Sequence, residues 1–296
     1  MVGSAILRRL QAAGHTKLLE LHRGVAELTD ARAVENWFSE QRPKYVFLAA
    51  AKVGGVLAND RFSAEFIRDN LLIQTHVIDA AHRHGAQKLL FLGSSCIYPK
   101  HAPQPMSEDC LLTGPLEPTN EAYAVAKIAG ITMLQAYTKQ YGFNGISLMP
   151  TNLYGPGDNF DLQSSHVLPA MIRKFHEAKL SMAPEVTLWG SGTPKREFLH
   201  VDDLADAAVF LMENYDSPQI INVGTGKDLA ISELASLIQD VVGYGGEIVY
   251  DASKPDGTPR KWLDTTRLTR LGWQPKIQLR EGIQSTLDWY RDLVSV

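Results

Sequence analysis

Continuous apolar runs alternate with amphipathic segments through the first half of this 296-residue chain. The apolar runs have the pattern of parallel strands that are covered on both faces, and the segments between them have helical spacing. The predicted strands are residues 44–51, 88–95 and 144–150, and the predicted helices are residues 31–41, 64–84 and 121–141. Strand, helix and strand in this order predict right-handed crossovers and a doubly wound, parallel α/β sheet of the Rossmann type.

The pattern changes near residue 150, where loops rich in glycine, proline, aspartate and asparagine begin to separate shorter elements. Later helices are predicted at residues 202–213, 231–242 and 279–293. We therefore expect residues 1–150 to form a dinucleotide-binding domain. Residues 151–296 are expected to form mainly a smaller α/β substrate domain, with some later segments returning to the first domain.

The start of the chain has only part of the pattern with which a dinucleotide-binding fold opens. Residues 4–13 have helical spacing, and residues 16–21 are predicted to form the next strand. Gly3 stands where the third glycine of the phosphate-binding loop belongs, but the strand and two glycines that usually precede it have no counterpart. We therefore expect the functional protein to begin about 13 residues earlier, with Met1 as an internal methionine.

Composition narrows the class of protein. The chain has 29 basic and 33 acidic side chains, a net charge of −4 and no basic block, which argues against nucleic-acid binding by phosphate neutralisation. No apolar run approaches the roughly 20 residues of a membrane span, and no signal peptide is evident, so we expect a cytoplasmic protein that binds no membrane. Two cysteines, Cys96 and Cys110, are too few for a disulfide framework or a zinc site, and we predict no metal.

Tyr123 and Lys127 carry the strongest chemical signal in the sequence. They are four residues apart, so they share one face of a predicted helix, and the ammonium is expected to lower the pKa of the phenol. Ser94 and Ser95 end the preceding predicted strand, where a serine hydroxyl can hold the same substrate oxygen. Together these residues predict a proton donor placed over a carbonyl group, which is general acid catalysis.

The end of the predicted second strand bears on the choice of cofactor. An enzyme that uses NAD usually has an acidic residue there to bind the ribose 2′-hydroxyl, but this chain has His22 and Arg23. A basic residue suits the 2′-phosphate of NADP, so Arg23 is a predicted contact of NADPH. The alternative is a solvated loop arginine.

At these residues the sequence resembles the extended short-chain dehydrogenase/reductase family. The resemblance spans essentially the whole chain and is carried by A-A-A-K-V-G-G (49–55), F-L-G-S-S-C-I-Y-P-K (91–100), E-P-T-N-E-A-Y-A-V-A-K-I-A-G (117–130), M-P-T-N-L-Y-G-P-G-D-N-F (149–160), S-H-V-L-P-A (165–170), W-G-S-G-T-P-K-R-E-F-L-H-V-D-D (189–203), N-V-G-T-G (222–226) and K-P-D-G-T-P-R-K (254–261). The match is closest to the members that convert GDP-4-keto-6-deoxy-D-mannose to GDP-L-fucose. The resemblance therefore implies epimerisation at C3 and C5, followed by NADPH-dependent reduction at C4.

By the same resemblance, Cys96 is the base that removes a proton beside the ketone, and His166 is the acid that returns it. A thiolate and an imidazole suit this exchange near neutral pH. The alternatives are a small buried side chain for Cys96 and a histidine that merely begins a helix for His166. Ser94, Tyr123 and Lys127 are the expected catalytic residues of the reduction.

The resemblance also implies binding residues. The expected cofactor contacts are Gly3, Arg23, Ala49, Ala50, Ala51, Gly93, Ser94, Ser95, Lys127, Pro150, Thr151, Asn152, Leu153 and His166. The expected substrate contacts are Lys174, Trp189, Arg196 and Asp256; for Asp256, a turn aspartate is the alternative. His200, Asp202 and Asp203 have the composition of a metal cluster, but we expect Asp202 or Asp203 to be a helix N-cap instead.

Two other interpretations remain open. Another nucleotide-sugar enzyme of the superfamily, such as an NAD-dependent 4-epimerase, needs no cysteine and histidine pair, so Cys96 and His166 discriminate against it. A cofactor-free binding protein is suggested by the incomplete phosphate-binding loop. Titration with NADPH would distinguish such a protein from an enzyme that binds the cofactor. The resemblance further implies a homodimer whose four-helix interface is formed by residues 64–84 and 121–141.

Overall fold

The computed structural model describes residues 1–254 and 256–295. The helices are α1 (Val2–Ala12), α2 (Ala31–Gln41), α3 (Val56–Arg61), α4 (Ser63–Arg83), α5 (Glu121–Tyr141), α6 (Val167–Leu180), α7 (Val201–Asn214), α8 (Ile231–Val242), α9 (Thr266–Arg270) and α10 (Leu279–Val294). The strands are β1 (Tyr45–Leu48), β2 (Lys88–Leu92), β3 (Asn144–Pro150), β4 (Asn152–Tyr154), β5 (Glu185–Trp189), β6 (Lys195–His200), β7 (Ile221–Val223), β8 (Asp228–Ala230), β9 (Glu247–Asp251) and β10 (Arg260–Lys261). None of the helices in these ranges combines the length and the hydropathy that crossing a membrane requires.

The first sheet has the order β1-β2-β3-β7, and all of its strands are parallel. Its central strand β2 is buried on both faces because alternate side chains enter different cores. Leu89 and Phe91 pack with α2, α4 and α5, whereas Leu90 and Leu92 pack with α1 and α7. Helices thus cover both faces, and the prediction of a doubly wound, Rossmann-type α/β sheet is confirmed.

The prediction of a strand at residues 16–21 is wrong. This segment has no regular structure, although it lies between α1 and α2 where a second strand of the fold would run. A strand exists only when its backbone N–H and C=O groups pair with a neighbour, and β1 pairs with β2 alone among the described residues. On the side of β1 away from β2, the described chain has no strand. Residues 16–21 therefore have no strand there to pair with.

The second half of the chain is built around β6. This strand pairs in parallel with β4 and β10 and in antiparallel with β8, while β5 and β9 form a separate parallel pair. Helices α6, α8 and α10 share a third core beside these strands. β7 and α7 instead belong to the first sheet and its core. The division at residue 150 stays a prediction.

The N-cap of α7 is His200, so the prediction that Asp202 or Asp203 caps this helix is wrong. The His200 ring accepts a hydrogen bond from the backbone N–H of Asp202 at 3.2 Å. Asp202 and Asp203 lie within the first turn instead, where a negative charge is favourable. The Asp203 carboxylate accepts the backbone N–H groups of Lys276 and Ile277 and so attaches the chain before α10 to α7.

Candidate active site

The expected cofactor and catalytic residues collect at the carboxyl edge of the first sheet. Ala49–Ala51 follow β1, Gly93–Cys96 follow β2, and Pro150–Leu153 end β3 and begin β4. Open parallel sheets bind their ligands at this edge. At Gly93 the chain passes so close to β3 that an added Cβ would lie 2.4 Å from the Met149 methyl group, so a larger residue there would require the Met149 side chain to move.

Tyr123 and Lys127 lie one turn apart on α5, above the end of β2. The Lys127 ammonium is buried, donates a 2.7 Å hydrogen bond to the carbonyl oxygen of Leu92, and lies 5.8 Å from the centroid of the Tyr123 ring. Ser94 faces them at the start of a short 3-10 helix, Ser95–Ile97, where its hydroxyl accepts the backbone N–H of Cys96 at 3.2 Å. The predicted strand 88–95 therefore ends earlier, at Leu92, and the chain turns toward the site.

The pKa of Tyr123 is raised, not lowered as the sequence predicts. Burial and the negative charge of a Cys96 thiolate both disfavour the phenolate, and the Ser94 hydroxyl only partly opposes them. Burial also lowers the pKa of Lys127 to about 7, so this amine carries less positive charge than an exposed lysine. A phenol that stays protonated at neutral pH suits a proton donor rather than a base.

Cys96 follows Ser94 and Ser95 directly in the same short helix, and Lys261 lies against it. The Lys261 ammonium donates to the Cys96 thiol sulfur at 3.2 Å. Burial raises the pKa of the thiol, but the charge of Lys261, hydrogen bonds from Ser94 and Lys261, and the charge of Arg196 together lower it overall. Cys96 is therefore more readily deprotonated than an ordinary cysteine.

His166 precedes α6 as its N-cap residue. The residue is exposed to solvent. The pKa of its ring is nevertheless lowered, first by desolvation from neighbouring protein atoms and then by the positive charge of Lys261. Lys261 thus acts electrostatically on both Cys96 and His166. The preceding loop is held in place by a hydrogen bond from the backbone N–H of Gly55 to the Ser164 carbonyl oxygen at 2.9 Å.

The residues expected around the rest of the cofactor lie beside the same edge. A Cβ on Gly3, in the first turn of α1, would lie 4.0 Å from the Cβ of Ala49. That first turn contains no acidic side chain and no side-chain cap, so its backbone N–H groups are available to an anion such as a pyrophosphate. Arg23 lies in an exposed turn.

Thr151 and Asn152 form a wall between the two sheets. Both side chains donate to the Glu197 carbonyl oxygen, at 3.2 Å and 2.8 Å. The backbone N–H of Thr151 donates to the Val223 carbonyl oxygen at 3.0 Å. These bonds join the end of β3 to β6 and β7. These two expected cofactor contacts are therefore held in place by bonds to two neighbouring strands.

The expected substrate residues lie along the second half. The Lys174 ammonium donates to the Thr187 carbonyl oxygen at 3.0 Å, and burial lowers its pKa. Trp189 is 53% exposed at the end of β5. The Asp256 carboxylate accepts the backbone N–H of Ser191 at 2.6 Å and its hydroxyl at 2.8 Å. Asp256 therefore joins its own segment to the loop that follows β5.

Comparison with known proteins decides the family. The sequence model of the NAD dependent epimerase/dehydratase family matches residues 1–224. The chain belongs to this family. A putative GDP-L-fucose synthase 2 of Arabidopsis thaliana is 58% identical over 294 residues, covering 99% of this chain and 90% of the relative. A GDP-L-fucose synthase of Escherichia coli (strain K12) is 55% identical over 299 residues, covering 98% and 93%.

A solved structure of the family agrees with these sequence matches. It is a GDP-mannoheptose C4 reductase of Campylobacter jejuni with NADP bound. Its TM-score to this chain is 0.90 at 38% identity, with 98% of this chain and 95% of that chain covered. This protein of the epimerase/dehydratase family is an NADP-dependent enzyme, as the sequence predicts.

Lys261 is a candidate functional residue that the sequence analysis did not identify. It ends the K-P-D-G-T-P-R-K stretch that contributes to the family resemblance, but no local pattern marks one lysine of that stretch as the partner of Cys96. The two residues are 165 positions apart and meet only because β10 pairs with β6 beside the cleft. A strand of two residues has no periodic signal.

Proposed function

We propose that this protein converts GDP-4-keto-6-deoxy-D-mannose to GDP-L-fucose, by epimerising C3 and C5 and then reducing C4 with NADPH. Its relatives at 55% to 58% identity are named for this synthesis. The observation that carries the proposal is the contact between Cys96 and Lys261 directly beside Ser94 and Tyr123. A site for proton exchange and a site for carbonyl reduction thus share one cleft.

For the reduction, Tyr123 donates its proton to the C4 oxygen, which gains negative charge as the carbonyl is reduced. The Ser94 hydroxyl holds the same oxygen, and Lys127 stabilises the phenolate that remains after the proton has moved. When bound, NADPH supplies the hydride. Lys127, Gly93 and Ser95 are buried, so this end of the site is shielded from water.

For the epimerisation, the Cys96 thiolate removes the proton from C3 or C5, which is acidified by the neighbouring C4 carbonyl group. Lys261 favours the thiolate before the transfer and remains beside the thiol afterwards. His166 returns a proton from the opposite face of the ring, and both groups exchange protons with water between the two positions. A thiol and an imidazole suit these two steps because each can gain or lose a proton near neutral pH.

The cofactor fits the residues that surround its expected position. Small side chains at Ala49–Ala51 allow the backbone to approach it closely, and the first turn of α1 offers unpaired N–H groups to its pyrophosphate. The chain after Ala51 is held rigidly, because the Asn70 amide bonds both the N–H and the C=O of Lys52 at 2.9 Å and 3.0 Å. Thr151 and Asn152 then form the wall of the nicotinamide site.

The nucleotide half of the substrate fits the second half of the chain. Arg196 can bind a diphosphate with two parallel hydrogen bonds. It lies close enough to Cys96 for its charge to lower the pKa of the thiol. The exposed Trp189 ring offers a stacking surface for a purine. Lys174 adds a second cation to the same region.

The proposal is tested by identifying the product. The chain is incubated with GDP-4-keto-6-deoxy-D-mannose and NADPH, and the sugar nucleotide is analysed by NMR. GDP-L-fucose formed in equal amount to the NADPH oxidised supports the proposal. A C4-reduced product that retains the manno configuration at C3 and C5 would instead favour a simple GDP-sugar reductase, and no consumption of NADPH would favour a binding protein.

Arg23 is expected to make the enzyme prefer NADPH to NADH. The change Arg23→Asp removes a cation that can pair with the 2′-phosphate and adds an acceptor for a 2′-hydroxyl. We expect kcat/KM for NADPH to fall about tenfold to a hundredfold, since a charge-assisted hydrogen bond contributes about 1.5–3 kcal/mol. The exposed Arg32 changed to Asp is the control. Equal use of both cofactors by the unchanged enzyme would contradict the role of Arg23.

We also propose that α4 and α5 of two copies form a homodimer. The two helices pack on each other, with the Gln74 amide donating to the Ala126 carbonyl oxygen at 2.6 Å, and Val125 on α5 is an exposed apolar residue. Light scattering is expected to give about twice the chain mass of 32.7 kDa. Val125→Asp should weaken the dimer, whereas Leu180→Asp, an equally apolar exposed position on α6, should not. A mass of one chain would contradict the proposal.

A cytoplasmic location accompanies this function. Cys96 and Cys110 are free and partly accessible, and the proposed epimerisation needs Cys96 as a thiol, which a reducing compartment preserves.

A further inference from the structure

Glu197 is a buried carboxylate that the proposed reaction does not use. Its side chain is fully buried, yet it follows directly after Arg196 on β6. One carboxylate oxygen accepts the backbone N–H of Gly226 at 2.7 Å, and the other accepts the backbone N–H of Leu263 at 2.9 Å. The Thr225 hydroxyl is 3.3 Å from the first oxygen. Burying a charge is costly unless donors of this kind surround it.

The room for this carboxylate is made by the loop that it holds. A Cβ on Gly224 would lie 2.3 Å from a Glu197 oxygen, so the loop after β7 can approach the carboxylate only because residue 224 is glycine. Three separate segments of the chain therefore meet at one side chain.

The Leu263 bond connects Glu197 to the strand that carries Lys261. β10 contains only Arg260 and Lys261, and in the register with β6 Lys261 lies opposite Arg196. Neighbouring side chains of a strand point to opposite faces, so Glu197 faces away from Arg196. β10 pairs with β6 over only two residues. The hydrogen bond from the Leu263 N–H to the Glu197 carboxylate adds a further attachment, two residues after Lys261.

The opposite side of the same segment is held by different groups. The backbone N–H of Trp262 donates to the Gln104 side chain at 2.9 Å, and the N–H of Met106 donates to the Trp262 carbonyl oxygen at 2.8 Å. The two residues that follow Lys261 are thus both anchored, Trp262 to the segment of residues 104–106 and Leu263 to Glu197. Its contact with Cys96 is a single 3.2 Å hydrogen bond, which a small shift of β10 is sufficient to break.

We infer that Glu197 is a positioning residue for the Cys96 site: its carboxylate holds the backbone that carries Lys261, and so keeps the Lys261 ammonium against the thiol. The charges that act on Cys96 are those of Lys261 and Arg196, and the charge of Cys96 acts in turn on the Tyr123 phenol. Both cations stand on the β6–β10 pair. The importance of this placement for turnover rests on the proposed function, but the placement itself is testable in the resting protein.

The test measures the reactivity of Cys96 toward iodoacetamide over a range of pH. Alkylation is followed on the tryptic peptide of residues 89–100, which contains Cys96 and no other cysteine. Only the thiolate reacts, so Glu197→Gln, which replaces one acceptor by a donor facing a backbone N–H, is expected to slow alkylation at neutral pH about threefold to tenfold. Lys261→Met should slow it at least as much, and Glu197→Asp, which keeps the charge, should slow it less.

The double variant separates positioning from general damage. If Glu197 acts through Lys261, Glu197→Gln added to Lys261→Met causes no further loss of reactivity. Asp203→Asn is the matched control, because Asp203 is also a buried carboxylate that accepts backbone N–H groups, at Lys276 and Ile277, but lies outside the cleft. It should lower the melting temperature and leave the alkylation profile unchanged.

Two results would overturn the inference. In the first, Glu197→Gln and Glu197→Asp lower the melting temperature while Cys96 keeps the alkylation profile of the unchanged protein. In the second, the losses from Glu197→Gln and Lys261→Met multiply in the double variant. Neither readout uses substrate or NADPH, so absence of fucose synthesis would count against the proposed function and not against this inference.

Discussion

Tyr123→Phe is expected to lose the reduction at C4 while keeping proton exchange at C3 and C5. The phenol is the group that we propose to protonate the C4 oxygen, and general acid catalysis contributes about 10² to 10⁴ to a rate, so NADPH oxidation should fall by about a thousandfold. The thiol of Cys96 and its partner Lys261 are untouched by this change. Exchange is measured as deuterium incorporation from D₂O into the substrate, and reduction as loss of NADPH absorbance.

An exposed tyrosine gives the matched control for this prediction. Tyr141→Phe, at the end of α5, removes a hydroxyl group from the same helix without touching the cleft and should preserve both activities. Equal loss of exchange and reduction in a folded Tyr123→Phe protein would refute the division of work between Tyr123 and Cys96.

Cys96→Ser is expected to stop proton exchange at C3 and C5 and therefore to stop synthesis of the fucose product. Serine hydroxyls do not ionise near neutral pH, even beside Lys261, so the base is lost although the shape is kept. We expect the exchange rate to fall by about a thousandfold. Cys110→Ser, at the other free cysteine, should leave exchange intact. Exchange retained in Cys96→Ser would exclude Cys96 as the base.

The direction of the Cys96 pKa also predicts a pH dependence. The base must be deprotonated, and Lys261 with Arg196 lowers the pKa of this thiol below its ordinary value. Exchange should therefore persist to lower pH than an ordinary cysteine allows, and disappear as the pH falls through the lowered pKa. Lys261→Met should move this acid limb to higher pH, and an unmoved limb would contradict the pairing.

The sheet and helix α5 were predictable because the sequence patterns that indicate them lie within single elements. Strands β2 and β3 are buried at nearly every position, since helices cover both faces of the sheet, and the predicted ranges contain the observed strands. Residues 121–141 form a helix with the predicted bounds, and the spacing of Tyr123 and Lys127 places both over the end of β2. Periodicity within one element is enough for such predictions.

Features that depend on distant partners were not predictable. The segment 16–21 has the composition of a strand, but within the described part of the chain it finds no strand to pair with. Lys261 acts on Cys96 through a pairing of β10 with β6 that leaves no trace in either segment. The pKa of Tyr123 is set by its burial and by the Cys96 charge, neither of which follows from its spacing to Lys127.

The most direct test of the account is the complete reaction in D₂O with unlabelled NADPH. One cleft that contains both a thiol base and a phenol donor predicts GDP-L-fucose with deuterium at C3 and C5 and with hydrogen delivered to C4 from NADPH. A product reduced at C4 that carries no deuterium at C3 and C5 would contradict the account, because reduction would then occur without the exchange assigned to Cys96 and His166.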